Sequence, residues 1–169
     1  MFASILPDPL HPAVVHLPIA LTLLVPLFAI GTLVAIRRGA HASRTWAVTV
    51  ALLAALAGSA WASVETGEQA DEQVEAVVAD APIETHEEAA EAFLAASAAV
   101  LGIALLGLAR GRVGDSARWV AAAGTIVLMV MGWRVGHTGG ALVYEHGAAS
   151  AYVTSSPTAS TPMRGEDDR

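Results

Sequence analysis

The residues of this chain best suited to chemistry are its six histidines, which stand in a sequence with no cysteine and no lysine. Two of them, His137 and His146, fall within Gly136-His137-Thr138-Gly139-Gly140-Ala141-Leu142-Val143-Tyr144-Glu145-His146-Gly147, a stretch that holds four glycines. Neutral imidazole is the commonest metal ligand among side chains. Glycine lets a backbone turn sharply or come close to another group. A segment with both, following a long apolar run, reads as part of a site. Imidazole without thiolate suits haem iron, copper, zinc or non-haem iron. The lack of cysteine excludes disulfides, iron–sulfur ligation by this chain and covalent c-type haem attachment.

The elements that must position these histidines are membrane spans. Of the 169 residues 54% are hydrophobic and only 15% charged, against about 25% charged in a soluble domain, and the mean hydropathy is +0.55. Apolar runs over about 13–36, 46–64, 87–109 and 119–136 each reach the ~20 residues a bilayer core requires, or come close to it. The fold class expected is all-α: an integral membrane four-helix up-down bundle over residues 1–153, followed by a disordered Ser/Thr/Pro-rich tail over 154–169. Met1 to Leu10 has no basic residue, so the positive n-region of a signal peptide is missing and the first run is expected to stay as a helix. Pro18 and Pro26 lie inside it, as membrane helices tolerate. Between the second and third runs, residues 65–91 carry ten Asp or Glu and no Arg. Ala70, Val74, Val77 and Ala81 there share one helical face, which predicts a short amphipathic helix in the acidic loop. Thr85 and Glu88 have the spacing of a capping box, which would start the third span with His86 in its first turn. Ala54, Gly58 and Ala62 form a small-residue face suited to helix contact or homo-oligomerisation.

Arg37, Arg38 and Arg44 bracket one loop, and Arg110, Arg112 and Arg118 the other, so both belong on the cytoplasmic side. Both termini and residues 65–86 are then expected outside a bacterial cytoplasmic (inner) membrane. No basic patch supports nucleic-acid binding. The partners expected are membrane lipid and a separate redox protein or quinone.

In that topology His11, His16, His86, His137 and His146 share the outer depth, and His41 lies at the opposite end. His16 stands within Val14-Val15-His16-Leu17-Pro18, and an ionisable group in an apolar span points to function. Arg134, near the outer end of the fourth span, would snorkel or meet an anion such as a haem propionate. Gly136 and Gly140, on a stripe with Gly124 and Gly132, serve either tight packing or room for a flat ring. A b-type haem requires two axial imidazoles from opposite sides of the ring. The first and third helices of an up-down bundle lie diagonally, so His16 and His86 are the preferred pair, with His137 or His146 as substitutes. The alternatives are a single transition-metal ion held by three of His11, His16, His86 and His146 with Glu87 or Glu145, and a cofactor-free membrane scaffold packed through its small-residue faces. No catalytic motif supports an enzyme, and an electron carrier or binding protein is the better reading.

His11-Pro12-x-Val14-Val15-His16-Leu17-Pro18-Ile19-Ala20, Thr66-Gly67-Glu68-x-Ala70, His86-Glu87 and Gly139-Gly140-x-Leu142-Val143-Tyr144-x-His146-Gly147 occur in this order. Over roughly residues 9 to 150 the chain resembles an uncharacterised family of bacterial four-span membrane proteins, a transmembrane domain of unknown function. Ala148-Ala149-Ser150 departs from the Gly-Val-Gly-Val usual there. Such domains are similar to ones joined at times to Rieske-type or cytochrome c-type modules. The resemblance therefore implies electron transfer and favours haem, with His11, His16, His86 and His146 as its motif positions.

Overall fold

A computed structural model describes residues 9–153, which fold into helices with no strand among them. The expected tail over 154–169 lies outside the described residues. In chain order the helices are α1 (His11–Val14), α2 (His16–Arg37), α3 (Ala42–Glu68), α4 (Asp71–Glu75), α5 (Asp80–Leu106), α6 (Arg112–Tyr144) and α7 (Ser150–Val153). Four spans, α1 with α2, α3, α5 and α6, are long and apolar enough to cross a membrane.

α2 packs against α3 and α6, and α5 packs against the same two. This leaves α2 and α5 on one diagonal of an up-down bundle, as expected. Leucine, valine and phenylalanine side chains such as Leu27, Phe28, Val127 and Val130 face outward, as they do when lipid is the solvent on that side. The interior is filled by Val25, Leu53, Leu56, Phe93 and Leu128 with alanines between them. Buried hydroxyls take their own helix carbonyls as acceptors: Thr22 Oγ1 donates to the Pro18 carbonyl at 2.7 Å and Thr125 Oγ1 to that of Ala122 at 2.6 Å. In a bilayer such internal pairing replaces water. Thr32 and Thr49 bond across α2 and α3 at 2.9 Å.

The helices overrun the apolar runs that announce them. α5 begins at Asp80, so Thr85 is no N-cap: its hydroxyl donates to the Ala81 carbonyl inside the helix at 2.8 Å. The reason is that Ala79 is extended and Asp80-Ala81-Pro82 starts the helix, proline being tolerated in a first turn. His86 consequently sits in the second turn rather than the first. α6 continues through the glycine run to Tyr144, and of the glycines in that region only Gly147 has positive φ, at 74°. The loop helix α4 is five residues long, and Val78, Ile83, Leu142 and Ala148 form a small second core beside it.

Close helix approach is concentrated at particular glycines. A Cβ on Gly132 would come within 2.8 Å of Thr22 Cγ2, and one on Gly124 within 2.8 Å of Val100 Cγ2. Gly107 lies under the fully buried Trp46, whose indole N–H donates to the Ala104 carbonyl at 2.9 Å. By contrast Ala54 and Gly58 face outward, and nothing stands within 4 Å of a Cβ on Gly58. Gly107→Val is therefore expected to lower stability in detergent by about 1–3 kcal/mol through overpacking, while Gly58→Val changes little. Thermal unfolding followed by circular dichroism compares the two.

Candidate functional site: an opposed imidazole pair

Two histidines from opposite corners of the bundle meet at the end distant from the arginine loops. The rings of His11, which opens α1, and His86, in α5, have centroids 6.5 Å apart and planes at 86°. Both are half-buried. Each ring is held by its Nδ1 edge against the next long helix. His11 Nδ1 donates to the Ser63 carbonyl of α3 at 2.9 Å and lies 3.4 Å from Thr66 Oγ1. His86 Nδ1 lies 3.0 Å from Thr138 Oγ1 of α6.

The Ser63 carbonyl fixes one tautomer. A carbonyl only accepts, so the neutral His11 ring carries its proton on Nδ1 and keeps a bare Nε2 lone pair. The Thr138 hydroxyl beside His86 lies 3.1 Å from the Val135 carbonyl, and a hydroxyl can donate or accept. A ligating histidine ordinarily ties its other nitrogen to a carbonyl or similar acceptor in this way, which orients the ring and raises its basicity.

Glycine makes the approach possible at His86, where a Cβ on Gly139 would lie 2.9 Å from Cε1; at His11 a Cβ on Gly67 would lie 3.4 Å from Cε1, an ordinary contact. The arrangement is repeated in the two halves of the chain: a histidine, then a Thr-Gly pair one long helix later, at separations of 55 and 52 residues to the threonine. Asp71, at the start of α4, is the carboxylate whose charge reaches both rings.

The other expected site residues lie elsewhere. His16 opens α2 on the outward face and is exposed. It stands five residues after His11, ~140° around a helix at 3.6 residues per turn, so one helical face cannot present both. The inward partner of His86 is His11. His137 is exposed and packs edge-on against Trp133, with centroids 5.3 Å apart, because Thr138 takes the inward position beside it. His146 is exposed and borders an open cleft of about 310 Å³ together with Thr85, Thr138 and Ala141. Arg134 is exposed, and the one salt bridge among the described residues is made elsewhere. Gly136 and Gly140 have open space where a Cβ would stand, so the glycine serving the ring is Gly139. Glu87 meets the carboxyl group of Asp71. No three histidines or carboxylates converge on one point among the described residues, so the three-ligand ion site is not assembled.

Ser63 escaped the reading of the sequence, and Thr66, Gly67, Thr138 and Gly139 stand within its motifs but were given no role at the rings. The recurrence of Thr-Gly at the same end of two consecutive helical hairpins is the signal that points to them.

A family model described as Predicted membrane protein (DUF2231) matches residues 7–151. The chain belongs to that family. No curated relative and no solved structure matches it. Within this DUF2231 chain the matched region takes in all four spans and both histidine clasps.

Two expectations follow from the clasps. Thr138→Val removes the hydroxyl 3.0 Å from His86 Nδ1, so imidazole ¹⁵N NMR should show a shift at that ring and not at His11, and Thr138→Ser should restore the original signal. Gly139→Ala should displace the His86 ring at a cost of about 1–3 kcal/mol. Gly140→Ala enters open space and should be neutral or slightly stabilising through helix propensity; unfolding midpoints distinguish the two.

Proposed function

We propose that this multi-pass membrane protein holds a b-type haem between His11 and His86, near the outer leaflet of the bacterial inner membrane, and serves as an electron carrier. The observation that supports this most directly is the pair of half-buried imidazoles with centroids 6.5 Å apart, each tied through Nδ1 to a neighbouring helix. Two imidazoles ligating one ion from opposite sides, each at ~2 Å, would hold their centroids roughly 6 Å apart, whereas tetrahedral ligation would bring them to about 5 Å. The separation in the bundle is 6.5 Å.

Donor number favours the same reading. Structural zinc takes four protein ligands and catalytic zinc three, and the described residues do not assemble three. A porphyrin brings four equatorial nitrogens of its own, so the protein has only to supply the axial pair. Bound there, haem would provide a one-electron couple. The chain's own residues do the rest. Ser63 and Thr138 orient the rings, Gly139 admits that of His86, and the apolar bundle restricts water on one side. Asp71 and the other loop carboxylates set an acidic field facing any electron partner, whether an external redox protein or quinone.

Sidedness rests on the arginines. Arg37, Arg38 and Arg44 with Arg110, Arg112 and Arg118 lie at the end opposite the histidine pair, which by the positive-inside rule is the cytoplasmic one.

Protein purified in detergent after expression with a haem supply is expected to show a Soret band and a reducible α-band. His11→Ala and His86→Ala should each abolish the low-spin spectrum, while His16→Ala, His137→Ala and His146→Ala keep it. A colourless protein, or a spectrum indifferent to His11, would overturn the proposal.

A further inference from the structure

At the arginine end, far from the imidazoles, the outer surface between α5 and α6 is grooved. The groove encloses about 430 Å³ and is walled by Ile103 and Leu106 of α5 and by Val113 and Val120 of α6, with Arg112 and Ser116 also lining it. Its walls face the bilayer: Leu106, Val113 and Val120 are each more than half exposed.

The charge at this end is unevenly committed. Arg118 is buried, donates to Asp115 Oδ1 at 2.7 Å and to the Ala109 carbonyl at 3.0 Å, and so consumes the one carboxylate of the loop. Arg37 lies over the Trp119 ring, 4.7 Å from its centroid. Arg112 is exposed and has no acid partner among the described residues. An unopposed guanidinium and a hydroxyl thus sit in an apolar channel open to the hydrocarbon.

We infer that this groove is a binding site for one anionic phospholipid, its acyl chain along Leu106, Val113 and Val120 and its phosphate on Arg112 and Ser116. The complementarity is of both kinds. The channel offers what a lipid tail and nothing aqueous would fill, and its polar residues offer what a phosphate requires, guanidinium being suited to bidentate phosphate contact. Basic pockets between spans at the cytoplasmic side are where anionic headgroups are found to bind. The inference is independent of the haem reading, and either can fail without the other.

The test is native mass spectrometry of the full chain, delipidated and titrated with phosphatidylglycerol or phosphatidylcholine in mixed micelles. One phosphatidylglycerol per chain should be retained, with phosphatidylcholine held at least tenfold more weakly. R112Q should weaken the phosphatidylglycerol adduct roughly tenfold, the scale of one lost charge-assisted contact. Val113→Trp, which fills the channel, should also reduce it. R110Q removes an equal charge from the same loop but outside the groove and should leave binding unchanged. Equal losses in R110Q and R112Q would mean diffuse surface attraction and overturn the site. So would equal retention of the two lipids, or competition by millimolar inorganic phosphate with no role for Val113.

Discussion

A ring nitrogen tied to a carbonyl can only be a donor, and that constraint decides what the histidine end of this bundle can do. His11 gives its Nδ1 proton to the Ser63 carbonyl, and His86 Nδ1 is hydrogen-bonded with the Thr138 hydroxyl. Each tie reaches the neighbouring helix, so it exists only if two backbones come close enough for an imidazole to bridge them. Gly139 supplies that closeness for His86. The diagonal placement of α2 and α5 then turns two local clasps into one opposed pair. Loss of the clasps would leave two rotatable polar side chains near a membrane surface; with them, each ring is tied to a neighbouring helix.

The fold was legible because lipid-facing length and hydropathy are properties of a run of residues, not of any one of them. The four spans and their order follow from the apolar blocks, and the bundle's diagonal follows from short connections. Helix ends were less legible. α5 extends back to Asp80 and α6 on to Tyr144, and such overhangs are polar, so hydropathy stops before the helix does. Choosing among histidines was harder still. His11 and His16 stand ~140° apart around a helix, and both lie within the same span, so hydropathy does not tell which of them faces inward. His137 and Thr138, or Gly139 and Gly140, differ by one position, and one position rotates a side chain ~100°. Depth could be read from the sequence and azimuth could not.

The two ends of the bundle handle polarity differently. At the arginine end Trp46 donates to the Ala104 carbonyl and Arg118 to Asp115 and the Ala109 carbonyl, while the buried Arg118 Nε has no hydrogen-bond partner among the described residues. Arg118 in this way pins the short turn over 107–111 to the start of α6. At the histidine end each imidazole has one nitrogen consumed and one left over. Both imidazoles are half-buried, and each is tied through Nδ1 to a neighbouring helix.

The clasp is repeated in the two hairpins. Each contributes one histidine and one Thr-Gly pair, so the imidazole pair lies between two similar halves of the chain. The halves are not identical. His11 is tied to a carbonyl and His86 to a hydroxyl, and the Gly139 contact is 0.5 Å tighter than the Gly67 contact, from 3.4 less 2.9 Å. His86 stands in the second turn of α5, whereas His11 is the first residue of α1, so the two rings are presented by different parts of their helices.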